Sequence, residues 1–338
     1  MKRVFLLSAF FAALCVGMAF SSVPACAQVR LTYSNFFPPT HVQSKLAEKW
    51  CREVEKRTDG EVVIDYYPGS TLTKPKQCYD GVLEGMSDIG LSALAYSRGR
   101  FPVMAAVDLP LGYTSGVQAT KVANEVFEKF HPAELDGVHV MYFHAHGPGL
   151  LHTAKKAVRT LEDMKGLKLR ATGNSGKLVQ ALGATPVAMS MSDSYQAIQK
   201  GVVNGGMYPV ETNKGWKMAE VVDYMTESFP VGYTTTFFVV MNKDRWESLS
   251  DKARAAITEL NAKWSVLHGR AWDESDVVGR NFFLSKGGEI IPLSEEEGEK
   301  WKKAAASMLQ EYVHDVDSKG LPGQEILDLT VKALESAH

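Results

Sequence analysis

The chain has 338 residues, of which 45% are hydrophobic and 22% charged, and its 37 Lys+Arg against 39 Asp+Glu give a formal net charge of −2. No block of basic residues supplies a track for phosphates, so the composition excludes a typical nucleic-acid binding protein. The length exceeds what one ordinary hydrophobic core accommodates, and two lobes are expected.

The first 27 residues have the pattern of an export signal. Lys2 and Arg3 form a positive start, a long apolar run follows over residues 4–20, and Ala25-Cys26-Ala27 places small residues where a signal peptidase needs them. We predict cleavage near Ala27 and a periplasmic location. A membrane anchor is the first alternative, although the apolar run is short for spanning a bilayer. Lipidation at Cys26 is the second.

Removal of the leader changes both the charge and the cysteine count. Lys2 and Arg3 are lost with it, which leaves 35 Lys+Arg against 39 Asp+Glu, near −4. Cys51 and Cys78 remain. They could pair in an oxidising periplasm or stay as buried free thiols. Neither lies in a CxxC pattern, so no chemistry is assigned to them.

Strand and helix alternate in the first third of the mature chain. The predicted elements are a strand over 29–33, a helix over 42–58, a strand over 61–67, a helix over 76–84 and a strand over 87–92. This alternation indicates a parallel sheet with helices on its faces. Ligands of such sheets bind at the carboxyl ends of the strands.

The middle of the chain repeats the alternation, and the last quarter is helical. Predicted strands cover 138–144, 167–170, 184–189, 202–208 and 237–241, with helices over 175–182 and 192–200. Long amphipathic helices are predicted over 250–285 and 294–318, and the last apolar pattern ends near Leu334.

These patterns predict an α/β fold with two lobes, each a mostly parallel sheet flanked by helices, with several crossings between the lobes and long C-terminal helices. The predicted first lobe comprises 28–147 and 233–273, and the second comprises 148–232 and 274–338. No sequence repeat or low-complexity linker is found. Two lobes joined by several crossings form a hinged clamshell.

One arginine lies at a position suited to binding an anion. Arg170 follows a short apolar strand, where parallel sheets bind their ligands. Its guanidinium matches a carboxylate in bidentate geometry and stays charged at any relevant pH. We predict that Arg170 binds a ligand carboxylate. The alternative is a surface salt bridge.

Six segments, in this order and spacing, resemble one protein family. They are Tyr67-Pro68-Gly69-Ser70-Thr71-Leu72, Val82-Leu83-Glu84-Gly85-Met86-Ser87-Asp88, Asp108-Leu109-Pro110-Leu111, Glu162-Asp163-Met164-Lys165-Gly166-Leu167-Lys168-Leu169-Arg170, Leu182-Gly183-Ala184-Thr185-Pro186-Val187 and Gln199-Lys200-Gly201-Val202-Val203-Asn204-Gly205. Over essentially all of the mature sequence the chain resembles the DctP-type solute-binding proteins of TRAP transporters, the tripartite ATP-independent periplasmic type. The resemblance implies a clamshell that closes on an organic acid and delivers it to integral membrane permease subunits. We expect a monomer that is not an enzyme and has no cofactor and no metal-binding residues of its own.

Departures from the family pattern predict the kind of acid. Relatives that bind sialic or dicarboxylic acids tend to carry a second arginine about twenty residues before the first, and that position here is Leu150. The sialate-type pattern Asp-Gly-Gln-Glu-Asn-Pro is replaced by Asn204-Gly205-Gly206-Met207-Tyr208-Pro209. A loop that is charged in those relatives reads Ser92-Ala93-Leu94-Ala95-Tyr96. The substitutions predict one carboxylate on an aromatic or hydrophobic body, such as a phenyl or indole acid or an aryl 2-oxo acid.

The predicted pocket surrounds the Arg170 guanidinium with apolar, aromatic and a few polar side chains. Its candidates are Phe36, Phe37, His41, Ala93, Tyr96, Leu150, Met191, Met207, Tyr208, Asn213, Trp216 and Tyr233. Aromatic and methionine side chains at strand ends are also common in cores, so simple packing is the alternative for about half of them.

A metal site and an enzyme are the other functions that sequence motifs could indicate. His144, His146 and His152 lie close in sequence, but zinc sites need three or four ligands and a supporting shell, and no cysteine or carboxylate lies beside them. The resemblance leaves open a cation beside the carboxylate of a 2-oxo acid.

No G-x-S-x-G, phosphate-binding glycine loop or H-E-x-x-H motif of an enzyme occurs in the sequence. A secreted hydrolase with a dispersed triad and a ligand-sensing partner of a receptor remain as alternatives.

Overall fold

Two β-sheets organise the chain in the computed structural model, which describes residues 28–337. The predicted leader and its cleavage near Ala27 lie outside the described residues. The strands, in chain order, are β1 (Val29–Asn35), β2 (Val62–Tyr67), β3 (Ile89–Ala93), β4 (Val138–Ala145), β5 (Gly149–Thr153), β6 (Lys168–Ala171), β7 (Thr185–Ala188), β8 (Gly205–Pro209), β9 (Tyr224–Glu227), β10 (Thr236–Asn242) and β11 (Glu289–Pro292). The first lobe has the strand order β2-β1-β3-β10-β4, and the second has β11-β9-β5-β8-β6-β7.

Both sheets are mixed. Parallel pairs join β1 to β2 and β3, β6 to β7 and β8, and β9 to β11. Strand β10 runs antiparallel to β3 and β4, and β5 runs antiparallel to β8 and β9. These two strands come directly after a crossing between the lobes. The two crossings run side by side, and Gly149 N–H donates to the Tyr233 carbonyl oxygen at 2.7 Å.

Eleven α-helices of the described chain flank the sheets. They are α1 (Val42–Arg57), α2 (Cys78–Leu83), α3 (Gly116–Phe130), α4 (Asn174–Ala181), α5 (Met191–Gln199), α6 (Thr212–Gly215), α7 (Lys243–Glu247), α8 (Asp251–Ser285), α9 (Glu295–Ala305), α10 (Ser307–Asp317) and α11 (Gly323–Glu335). The sequence patterns predicted most of the strands and helices, but not α3, α7, β5, β9 or β11. Helix α8 has 35 residues and is about 50 Å long, so it reaches both lobes.

Each sheet is covered on both faces, and strands such as β3 and β10 are therefore buried along almost their whole length. In the first lobe, Trp50 of α1 and Trp264 of α8 pack on one face, and Val126 of α3 packs on the other. In the second lobe, Trp301 of α9 and Phe283 of α8 lie in the clusters on opposite faces. Cys51 and Cys78 are both buried free thiols of the first lobe.

The last two helices pack in a different lobe from the one predicted. Trp301 of α9 packs in the second lobe, but Tyr312 of α10 and Leu334 of α11 lie in the core of the first lobe. The assignment of all of 274–338 to the second lobe is therefore wrong for its last part. The helix predicted over 294–318 is also interrupted at Ala306, where α9 ends and α10 begins.

The buried carboxyl group of Asp108 connects the segment between β3 and α3 to strand β10. Asp108 Oδ1 accepts hydrogen bonds from Thr236 N–H and Thr236 Oγ1, both at 2.8 Å. Burial raises the pKa of Asp108 to about 7, and the hydrogen bonds from Thr236 oppose that rise. The carboxyl is therefore largely protonated in the folded protein at pH 5.

This group makes stability depend on pH. In the unfolded chain the carboxyl titrates near 3.9, so between about pH 4 and pH 7 the folded state binds more protons and loses stability as the pH rises. From pH 5 to pH 8 the loss from Asp108 is about 2–3 kcal/mol. We expect Asp108→Asn to remove this part of the slope in urea unfolding, while Asp136→Asn, an exposed control, retains it. Parallel pH profiles of wild type and Asp108→Asn would contradict the assignment.

Candidate ligand-binding site

A cavity between the two lobes has walls from both of them. Its lining residues are Phe36, Phe37, Tyr96, His146, Arg170, Thr172, Met191, Tyr208, Pro209, Glu211, Thr212, Trp216, Tyr233, Thr235, Phe237 and Trp272. Arg170 and Glu211 are the two charged residues on this wall. Most of the other side chains are aromatic.

Arg170 carries a buried charge that no carboxylate in the described part of the chain neutralises. The residue is 4% exposed, its Nε–H donates to the Met189 carbonyl oxygen at 3.2 Å, and its Nη1–H donates to the Met207 carbonyl oxygen at 3.3 Å. Within residues 28–337 no Asp or Glu forms an ion pair with it. A buried charge without a counter-ion is costly, so the site favours an anion from outside the chain.

The local sheet geometry positions this side chain. Arg170 on β6 lies beside Gly206 on β8 in parallel register. A Cβ atom at Gly206 would lie 3.1 Å from Arg170 Cβ and 2.9 Å from Tyr208 Cε1. Glycine at this position therefore gives both side chains room to reach the cavity.

Aromatic rings from the first lobe and from the long helix form the apolar wall. Phe36 contacts Phe37 with ring centroids 4.1 Å apart, and it stacks on Phe237 at 6.1 Å. Phe237 in turn stacks on Trp272 of α8 at 5.2 Å. Trp216 of the second lobe stacks on Phe36 at 6.0 Å. An aromatic solute in this cavity would meet ring faces and edges rather than hydrogen-bonding groups.

Two phenols lie near the guanidinium. Tyr208 and Tyr233 are 1% and 2% exposed. Burial raises the pKa of both hydroxyls, and the charge of Arg170 opposes that rise. Both phenols are therefore neutral and able to donate. The Tyr208 hydroxyl has no hydrogen-bond partner in the described part of the chain, so it remains available to a ligand.

A buried pair connects the lobes next to this cavity. His41 Nδ1 accepts from Gln43 N–H at 3.2 Å, which places a proton on Nε2, and Nε2 donates to Glu211 Oε2 at 3.0 Å. The side chains of His41 and Glu211 are 0% and 2% exposed. Because one residue belongs to the first lobe and the other to the second, the pair stabilises the closed arrangement.

Further hydrogen bonds cross the cleft. Met191 N–H donates to the Tyr96 hydroxyl at 3.0 Å, and Thr172 Oγ1 donates to the Ala95 carbonyl oxygen at 3.2 Å. Asn174 Nδ2 donates to the carbonyl oxygen of Ala105 at 2.7 Å. The lobes are therefore closed on each other, which is consistent with the low exposure of Arg170.

The structure brings eight of the predicted site residues together around this cavity. They are Arg170, Phe36, Phe37, Tyr96, Met191, Tyr208, Trp216 and Tyr233. The other five predicted residues, His41, Ala93, Leu150, Met207 and Asn213, do not line it.

Each of those five side chains has another environment. Ala93 and Leu150 lie in strand cores. Met207 points to the opposite face of its strand from Tyr208 and packs in a different core cluster, although its carbonyl oxygen accepts from Arg170. Asn213 Nδ2 lies 3.2 Å from His152 Nε2. His41 lies behind Phe37, with ring centroids 4.5 Å apart, and its Nε2 donates to Glu211.

Eight lining residues were not among the predicted pocket residues: His146, Thr172, Pro209, Glu211, Thr212, Thr235, Phe237 and Trp272. Phe237 and Trp272 belong to a predicted strand and a predicted helix, where aromatic residues indicate core. Nothing in the local pattern distinguishes a core ring from a cavity wall. Glu211 follows Pro209 at the end of a strand, the one signal that could have found it.

The three histidines considered as metal ligands have different surroundings. Trp272 Nε1–H donates to His144 Nδ1 at 3.0 Å, and the His144 ring stacks on His268 at 4.4 Å. His146 lines the cavity, and His152 stacks on Tyr208 at 4.3 Å. Within the described chain no group of three His, Cys, Asp or Glu side chains could hold a metal ion.

Comparison with known proteins identifies the family. Residues 33–315 match the model for bacterial extracellular solute-binding proteins, family 7, called DctP. The chain belongs to this family. Its members include TRAP periplasmic solute-binding proteins, which bind small organic acids and work with membrane permease components. The family and fold are those of transport proteins rather than enzymes.

Solved structures of TRAP proteins share the fold over almost their whole length. A marine metagenome protein specific for aromatic acid ligands, in complex with metahydroxyphenylacetate, is 29% identical, with 92% of this chain and 99% of that chain covered and a TM-score of 0.87. A protein from Rhodoferax ferrireducens with copurified benzoate is 27% identical, with 92% and 98% covered and a TM-score of 0.87. The galactonate-binding DctPAm of Advenella mimigardefordensis is 19% identical, with 92% and 99% covered and a TM-score of 0.83, and shows the fold alone.

The TRAP solute-binding family is periplasmic. Among residues 28–337, none of the helices combines the length and the apolar character that crossing a bilayer requires.

Proposed function

We propose that this protein is the periplasmic solute-binding protein of a TRAP transporter for a monocarboxylate with an aromatic or similarly hydrophobic body. The leader of 27 residues exports it, and as a monomer it delivers the acid to the integral membrane permease. One observation carries the proposal: Arg170 is 4% exposed, has no carboxylate partner within residues 28–337, and faces a cavity with aromatic walls.

The energetics of the cavity favour such a ligand over a sugar acid. A carboxylate beside Arg170 supplies the missing counter-ion and accepts charge-assisted hydrogen bonds. Burying about 150–200 Å² of an aromatic ring contributes roughly 4–5 kcal/mol before entropic costs. The hydroxyls of a sugar acid would lie against Phe36, Phe237 and Trp272, and each one left unpaired costs about 1–3 kcal/mol.

Calorimetry on protein freed of copurified solute tests the proposal. Benzoate, phenylacetate and indole-3-acetate represent the proposed class, galactonate represents sugar acids, and benzamide keeps the ring without the charge. We expect at least one aromatic acid to bind, to raise the unfolding temperature by several degrees at saturation, and to be recovered unchanged. Binding of galactonate alone, or of benzamide as tightly as benzoate, would contradict the proposal.

The contact between Tyr96 and Met191 should contribute to this affinity. Tyr96→Phe keeps the ring, which lies 5.7 Å from Phe36 in an edge-on arrangement, but removes the acceptor of Met191 N–H. A hydrogen bond of this kind contributes about 0.5–1.5 kcal/mol, so the Kd for the bound aromatic acid should rise about two- to tenfold.

The control is Tyr67→Phe, which makes the same change at a residue that is 36% exposed and outside the cavity. It should bind as the wild type does. Equal affinities of Tyr96→Phe and wild type would show that the contact across the cleft does not contribute to ligand-bound closure.

A further inference from the structure

One polar side chain of the cavity wall, that of His146, has no assigned role in holding a carboxylate. His146 follows strand β4 at the crossing between the lobes and is 3% exposed. Its ring meets Tyr233 edge-on at 5.7 Å and Trp272 at 6.0 Å. Its backbone is fixed as well, because Thr234 Oγ1 donates to the His146 carbonyl oxygen at 2.7 Å. The ring is therefore held rigidly in the wall.

The hydrogen bonds of His146 determine which ring nitrogen carries the proton. Nδ1 lies within hydrogen-bond distance of the Gly147 carbonyl oxygen. A carbonyl oxygen can only accept, so Nδ1 is the protonated nitrogen, and in the neutral ring Nε2 has a free lone pair.

The ring is neutral in the closed protein. Burial lowers the pKa of His146 to about 4; the hydrogen bond to Gly147 opposes this, and the positive charge of Arg170 adds to it. At neutral pH the His146 side chain is thus an acceptor at Nε2, and it cannot serve as a second cation for the carboxylate.

No protein donor satisfies this acceptor. Within residues 28–337, Nε2 of His146 forms no hydrogen bond, whereas Nε2 of the neighbouring His268 lies 3.3 Å from the Tyr142 hydroxyl. A site with an unpaired acceptor in its wall discriminates in favour of ligands that supply the donor.

Resting on the proposed function, we propose that His146 reads a hydroxyl group on the bound acid, so that the preferred solute is a hydroxylated aromatic monocarboxylate. Arg170 holds the carboxylate, the rings of Phe36 and Phe237 pack on the aromatic body, and Nε2 of His146 accepts from the hydroxyl. His146 is then a specificity-determining residue, because it separates hydroxylated acids from their parent acids.

Pairs of ligands that differ by one group test this inference. Phenylacetate is compared by calorimetry with mandelate and with 2-, 3- and 4-hydroxyphenylacetate, and each ring-hydroxylated acid is compared with its methoxy analogue. At least one hydroxylated acid should bind about three- to tenfold more tightly than phenylacetate, the advantage of one good hydrogen bond. The matching methoxy analogue, which cannot donate, should lack that advantage.

Variants of the acceptor give the decisive comparison. His146→Phe keeps a ring but removes the acceptor, and it should bring the ratio of the two affinities close to one. His146→Gln can return an acceptor near the position of Nε2 and should restore part of the preference. His139→Phe is the control, because His139 stacks on Trp246 at 3.7 Å, away from the cavity.

The outcomes separate this inference from the proposed function. If aromatic acids bind but no hydroxylated acid gains over phenylacetate, or if His146→Phe keeps the gain, the role of His146 is refuted and the proposed function stands. If no aromatic acid binds the wild type, the proposed function itself fails.

Discussion

Arg170→Ala is expected to abolish useful affinity for the aromatic acid. The guanidinium is buried, and a ligand carboxylate enclosed beside Met189 and Met207 would have lost its water without gaining its partner. Removing one member of such a buried charge pair costs about 2–5 kcal/mol, which raises the Kd at least about 30-fold. Arg170→Lys should recover only part of the loss, since a point charge does not reproduce the bidentate fork.

The stability of the ligand-free variant separates binding from folding. Because Arg170 has no carboxylate partner within residues 28–337, its replacement removes an uncompensated buried charge. We therefore expect ligand-free Arg170→Ala to unfold at the wild-type temperature or above it, while titration calorimetry shows the lost affinity.

The matched control is Arg52→Ala, the same change at an exposed helix position paired with Glu48. It should leave the affinity unchanged. If Arg170→Ala and Arg170→Lys both bind as tightly as the wild type, the carboxylate anchor is elsewhere.

Glu211→Ala is expected to weaken binding through closure rather than through contact with the carboxylate. In the closed protein the variant leaves the Nε2–H of His41 buried without an acceptor, whereas water can satisfy it when the lobes are apart. An unsatisfied buried donor costs about 1–3 kcal/mol, so the Kd should rise about five- to 150-fold. Glu211→Gln keeps an acceptor oxygen and should remain near the wild type.

Small-angle scattering together with calorimetry distinguishes closure from a local effect. The wild type should become more compact when the aromatic acid is added, and Glu211→Ala should need more ligand to reach the same compaction. Glu162→Ala, with a side chain 75% exposed in the same lobe, is the control. A wild type that does not contract on binding, or a Glu211→Ala variant with unchanged affinity, would contradict the role of the pair between the lobes.

Local patterns predicted much of the fold because they report local causes. Helix α1 and strand β2 lie within about a residue of their predicted bounds, since periodicity directly reflects which face an element buries. Helix α3 was missed although Ser115 caps it by accepting from Gln118 N–H. The antiparallel direction of β10 in its sheet was not predictable either, because it depends on where the chain re-enters the first lobe.

The site was predictable in part for a similar reason. Arg170 and Tyr208 lie near the carboxyl ends of strands β6 and β8, and Trp216 directly follows the short helix α6; all three line the cavity at that edge of the second sheet. Met207 and Tyr208 are adjacent in sequence, yet only Tyr208 lines the cavity, because side chains alternate across a strand. Single positions at a strand end cannot be assigned until the register is known.

The sequence by itself determined the family, the alternation of strands and helices, and the position of Arg170 at the end of a strand, where we propose that the ligand carboxylate binds. Only the tertiary structure decided that His41 meets Glu211 from 170 residues away. It also decided that, among residues 28–337, the Arg170 guanidinium is buried without a counter-ion and Nε2 of His146 is unpaired. Burial and pairing are properties of the space between two lobes. They arise from contacts between distant segments, and no local pattern of residues contains that information.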